Sequence, residues 1–147
     1  MARQRKVRSI NSATSAGAGE SYSSGGHNSV GLFVIARNLD PNNDTLEVVL
    51  DAEHQSEETG TEVGGPVRAP GGGPGNSTPV GITEGAMVDE EGDGAYAGFL
   101  FVHGVPAEFF RARISDYADS AGGDLEVDAW VYFGNWSGSA NEFREIV

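Results

Sequence analysis

At 147 residues the chain is one domain's worth, and with 22 acidic against 9 basic side chains it carries a formal charge of −13. It has no cysteine, which excludes disulfides and thiolate metal sites, and no run approaching the ~20 apolar residues of a membrane helix. Its basic start, MARQRKVRS, is followed by no apolar stretch and so does not read as a secretory signal.

The charge is unevenly placed. Arg3, Arg5, Lys6 and Arg8 stand in a segment without acids, whereas residues 9–147 hold five basic against 22 acidic side chains. Such a body repels nucleic acid and anionic membranes. Lys6 is the only lysine. Scarce lysine beside many short carboxylates fits a surface kept hydrated in molar salt, where a Debye length of ~3 Å silences long-range repulsion. An acidic interaction surface at ordinary ionic strength is the other reading.

Residues 1–29 read as an extended arm, basic at first and then rich in Ser, Gly and Ala, with little to bury. Residues 30–147 form the body. VGLFVIAR (30–37) is a continuous apolar run that predicts a buried strand. LDPNND (39–44) predicts a turn, and TLEVVLDAEH (45–54) alternates with Leu46, Val48, Leu50 and Ala52 on one face. The two strands together predict a hairpin. Residues 55–79 are a Pro/Gly-rich insertion, incompatible with a helix or a central strand. VGITEGAMV (80–88) suits a short edge strand, and DEEGDG (89–94) an acidic turn.

Three further strands follow. AYAGFLFVH (95–103) is the first, and AEFFRARIS (107–115) is the second, with Arg111 and Arg113 opposite Phe110, Ala112 and Ile114. DLEVDAWVYF (124–133) is the third, with Leu125, Val127, Ala129, Val131 and Phe133 on one face. The tail, 134–147, has room for a last short strand or helical turn around Phe143 and Ile146. About six strands with turn-rich spacing and no amphipathic helix predict an all-β fold, an antiparallel β-sandwich of jelly-roll type.

Several residue patterns bear on chemistry. Asp40, Asn42 and Asp44 have the spacing that opens a calcium loop, but positions six and twelve are Thr45 and Asp51 instead of Gly and Glu. A hydrogen-bonded turn is the expected reading, with a structural Ca2+ or Mg2+ as the alternative and no other cofactor. Asp89, Glu90, Glu91 and Asp93 crowd one turn, where solvation is expected before cation bridging. His27, His54 and His103 lack metal-ligand spacing, no GxSxG elbow occurs, and GGGPG lacks the GK[ST] ending of a phosphate loop. No enzymatic activity is expected. Arg111 and Arg113 are expected to pair across strands with Glu126 or Asp128, or else to contact a partner. Trp130 and Tyr132 lie opposite the Leu125–Val131 stripe, where they suit either an interface or a second packed layer, and Trp136 follows them.

The run LEVVLDAEHQS, a variable insertion, AEFFRARISDY, a GGD turn and LEVDAWVYFGN resembles the small β-sandwich virion proteins of tailed viruses, over roughly residues 30–135. Combined with the acidity, it is similar to such a protein from a virus of halophilic archaea. The resemblance implies capsid decoration or stabilisation in the virion, as a homo-oligomer in contact with major capsid or head–tail proteins. A head–tail connector or tail component is one alternative. A carbohydrate- or surface-binding module, with Trp130, Tyr132 or Trp136 as its platform, is another. The expected partner contacts are Arg3, Arg5, Lys6 and Arg8 of the arm, with Arg111, Arg113, Trp130 and Tyr132. The arm is expected to gain order on a neighbouring subunit, by strand addition to its sheet edge and close arginine–carboxylate pairs.

Overall fold

The computed structural model describes residues 5–55, 62–69, 78–104, 107–120 and 122–135. The strands in chain order are β1 (Arg5–Ala13), β2 (Gly17–Ala18), β3 (Tyr22–Ser23), β4 (Ser29–Arg37), β5 (Thr45–Gln55), β6 (Glu62–Pro66), β7 (Arg68–Ala69), β8 (Thr78–Pro79), β9 (Gly81–Thr83), β10 (Ala95–His103), β11 (Phe109–Ala118) and β12 (Glu126–Gly134). One 3-10 turn, Glu84–Ala86, follows β9, and no helix among the described residues is long and apolar enough to cross a membrane.

The first sheet has the order β1-β12-β4-β10. The second has the order β2-β11-β5-β6, with β3 also on β11 and β9 also on β5. All these ladders are antiparallel. The chain crosses repeatedly from one sheet to the other, and the strand orders are those of a jelly roll. The predicted all-β sandwich is thus the observed architecture.

Between the sheets lies one core. Val30, Leu32, Val34 and Ala36 of β4 and Val127, Ala129, Val131 and Phe133 of β12 face Leu46, Val48 and Leu50 of β5 and Phe110, Ala112 and Ile114 of β11. Residue alternation assigns these side chains, since a period of two sends every second one inward. β4 and β12 are central strands, and six of the nine residues in each are buried. Gly98 lets β10 come close to β9, because a Cβ there would lie 2.6 Å from Ile82 Cγ2.

Two expectations are corrected. β4 and β5 are not a hairpin, since β4 pairs with β10 and β12 while β5 pairs with β11, β6 and β9. The residues between them turn a corner from one sheet to the other. Leu39 is buried there, and Asn38 takes a left-handed conformation that asparagine tolerates well (φ 62). Nor do residues 5–29 of the expected arm (1–29) stand apart from the body, because β1 is an edge strand of the first sheet and β2 and β3 pair with β11. β1 adds to the sheet edge of its own chain through β12, and Ile10 joins the core. Of the insertion at 55–79, 62–66 is an edge strand on β5, and Arg68–Ala69 pairs with Thr78–Pro79. Residues 56–61 and 70–77 lie outside the described residues, as does the predicted tail element beyond Asn135.

Candidate interaction surface

The outward face of the first sheet carries an unusual set of side chains, and register decides which of them share it. Arg8 pairs with Trp130, Trp130 with Phe33, and Phe33 with Phe99, so the four form one row across β1, β12, β4 and β10. The next row is Lys6, Tyr132, Gly31 and Phe101. On the other side run Asp128, Ile35 and Ala97, extended by a bridge from Ala97 to Val88.

The rings touch one another. Phe33 and Trp130 have centroids 5.7 Å apart, Phe33 and Phe99 6.2 Å, and Phe99 and Tyr132 6.1 Å, the last two edge to face. Such spacings are the favourable range for aromatic pairs. The exposed large hydrophobic side chains among the described residues are Val88, 58% accessible, and Phe99, 56% accessible, and both belong to this face. Between them lies a shallow depression of about 420 Å³, with Phe33, Ala97 and Phe99 in its lining and Glu90 and Glu91 among its acidic groups.

At the β1 edge the face turns cationic. Arg8 lies 5.0 Å and Lys6 5.9 Å over the Trp130 ring. Arg8 Nη2 also donates to Asp128 Oδ1 at 2.6 Å, Arg37 Nη1 binds Asp128 Oδ2, and the Ser12 N–H donates to Oδ1 at 2.7 Å. The Asp128 carboxylate is 1% exposed. Burial opposes its ionisation, but the hydrogen bonds from Ser12, Arg37 and Arg8 outweigh that, and its pKa is lowered. The clamp fixes β1 to β12 and holds Arg8 over the indole.

The predicted site residues fall into separate places. Arg5, Lys6 and Arg8 all engage their own chain: Arg5 lies 5.2 Å over the Phe133 ring and bonds the Ser23 carbonyl, and Lys6 and Arg8 cover Trp130. Arg3 and Trp136 lie outside the described residues. Arg111 and Arg113 do pair across strands, but with Asp51 and not with Glu126 or Asp128, because β11 neighbours β5 and belongs to the other sheet from β12. Their Nε atoms lie 3.0 and 2.9 Å from Asp51 Oδ2, while Asp51 Oδ1 is buried without a hydrogen-bond partner.

No protein-family model, curated protein or solved structure matches the chain.

Asp40 and Asp44 are occupied as turn acceptors. Asp40 receives the Asn42 N–H and the Asn43 side-chain amide, which, led by Asn43, lower its pKa. Asp44 receives the Asp40 N–H on one oxygen and Ser120 N–H and Oγ on the other. Asp89 similarly accepts from Gly92, Asp93 and Gly94 N–H. Among the described residues no three His, Cys, Asp or Glu side chains gather as a metal site. The histidines have separate surroundings: His54 bonds Glu108, His103 bonds Ser29, and His27 stacks on Phe133.

Sequence reasoning placed Trp130 and Tyr132 on an outer face but missed Phe33, Phe99 and Val88 beside them. The available signal was that β4 and β10 carry aromatic residues at the positions an exposed antiparallel face usually gives to polar ones.

Proposed function

We propose that the chain is a non-enzymatic structural protein of a virion, attached to neighbouring protein subunits through the outer face of its first sheet. The observation that carries this reading is the row Arg8–Trp130–Phe33–Phe99, ending in a ring 56% exposed, on a body whose net charge is −13. Aromatic rings with arginine are the side chains that interfaces concentrate, and the centre of a protein–protein contact is depleted in acidic groups.

The virion setting is supported by the sequence resemblance and by the topology. Jelly rolls serve in viral capsid proteins as well as in lectin domains and cupins, so the surface has to choose among them. A sugar platform needs an open ring face, and here Arg8, held by Asp128, covers Trp130. Capsid decoration is the preferred position within the particle, with a head–tail connector as the alternative.

Quantitative mass spectrometry of particles from the source that encodes the chain tests the reading. Recovery in many copies supports capsid decoration, recovery at the level of a single ring supports a connector, and absence from the particle overturns both. Binding on a glycan array, lost on Phe99→Ala, would favour the lectin-like reading instead.

A further inference from the structure

The outer face of the first sheet is complementary to itself, and we propose that it binds the same face of a second copy of this chain across a twofold axis lying in the plane of the interface. This deepens the proposed function, since it rests on that face being the assembly surface and names its first partner.

Charge is laid out by edges on this face. Lys6 and Arg8 stand on β1, at one edge. Beyond β10, at the opposite edge, come Val88 and the acidic turn with Glu90 and Glu91. Aromatic rings fill the space between. A twofold axis near Phe33 lays the β1 edge of one copy over the β10 edge of the other. Rings then meet rings, and each basic edge meets an acidic edge, twice per dimer, as an isologous contact requires.

The depression beside Val88 fits this arrangement. Phe33, Ala97 and Phe99 give it an apolar floor, and Glu90 and Glu91 supply carboxylates. An apolar floor next to carboxylates suits a long cationic side chain, whose methylenes pack while its charged end is paired. Lys6 is exposed and free of the Asp128 clamp that holds Arg8, so the partner's Lys6 is the side chain placed to enter. The covered surface would include Phe99 and Val88, the large apolar side chains that the described residues leave open to water. Like-charged bodies repel at low salt, and the shorter Debye length of molar salt removes that opposition.

Sedimentation velocity of the full chain in molar potassium chloride tests the proposal. The wild type is expected to be a dimer, and Phe99→Asp to weaken association by about thirty-fold or more, with an unchanged far-UV spectrum. Lys6→Glu and Glu91→Lys, both at exposed positions of the free chain, are each expected to be largely monomeric, because each sets like charges together twice at contact distance inside the interface, where salt screens far less than between separated bodies. Mixing the two variants should restore the dimer, because both contacts then become attractive. A monomeric wild type at high protein concentration overturns the proposal, as does an unchanged Phe99→Asp dimer or a mixture that stays monomeric. The charge pair keeps the test decisive if Phe99→Asp does not fold. A monomer found in particles would sink the dimer and leave the virion role standing, whereas a dimer absent from particles would do the reverse.

Discussion

Arg8 Nη2 lies 2.6 Å from Asp128 Oδ1, linking β1 to β12, while the same guanidinium sits 5.0 Å over the Trp130 ring. Asp128 also receives Arg37 and the Ser12 N–H, so this one carboxylate gathers three donors. Asp128→Asn should cost about 1.5–3 kcal/mol, the range for hydrogen bonds to charged groups, whose arginine partners here can partly return to water. Arg8→Ala should cost less, since Arg37 and Ser12 remain. Urea unfolding curves of the two variants check the order, and equal losses would contradict it.

Acid should act through the same group. Asp128 has a lowered pKa in the folded chain, so its stabilisation is complete above the unfolded value of ~3.9 and is lost as pH falls through the lower folded value. Asp40, also lowered, acts in the same direction. The urea midpoint of the wild type should therefore drop steeply below about pH 4. Asp128→Asn should show a shallower drop over the same window, and parallel profiles would remove Asp128 from the explanation.

On the second sheet, Asp51 is held by Arg111 and Arg113 through the same oxygen. Either arginine alone keeps a charge beside the buried carboxylate. Replacing both with Met strands it and should cost about 3–5 kcal/mol, more than the two single losses combined. A double-mutant cycle in urea measures the difference, and simple additivity would argue against shared duty.

β1 should behave as part of the fold. Ile10 is 4% exposed and packs in the core, so Ile10→Ala should cost about 2–4 kcal/mol. Removing residues 1–13 would also bare the β12 edge and its unpaired backbone groups, and the shortened chain should aggregate or lose cooperative unfolding. A truncated chain with an unchanged melting transition would restore the view of residues 1–29 as a separate arm.

What could be read from the sequence follows from what alternation encodes. The inward stripe Val127, Ala129, Val131, Phe133 was legible because β12 keeps a strict period of two, and all four side chains are buried. Alternation assigns faces and says nothing of partners, which is why β4 and β5 looked like a hairpin and Arg111 was matched to the wrong carboxylates. β1 escaped notice for another reason. Its ladder has register shifts between Arg8 and Ile10 and again between Ile10 and Ala13, so adjacent residues Ser9 and Ile10 are both buried and the period is broken. Ser9 looked like linker composition, yet its hydroxyl donates to the Glu20 carbonyl and accepts the Ala112 N–H, a role that exists only once distant strands have met. The aromatic face was half legible, because Trp130 and Tyr132 lie two apart on one strand while Phe33 and Phe99 reach them through pairing.

The place of β12 between β1 and β4 has a consequence for how the chain is made. Both of those strands leave the ribosome long before the strand that must sit between them. A nascent chain carrying Val30, Leu32 and Val34 therefore cannot close its first sheet during most of its synthesis. Native structure has to arrive late and through contacts distant in sequence, which are the slow kind to form. Over that interval the heavy load of well-hydrated carboxylates helps keep the unfinished polypeptide soluble.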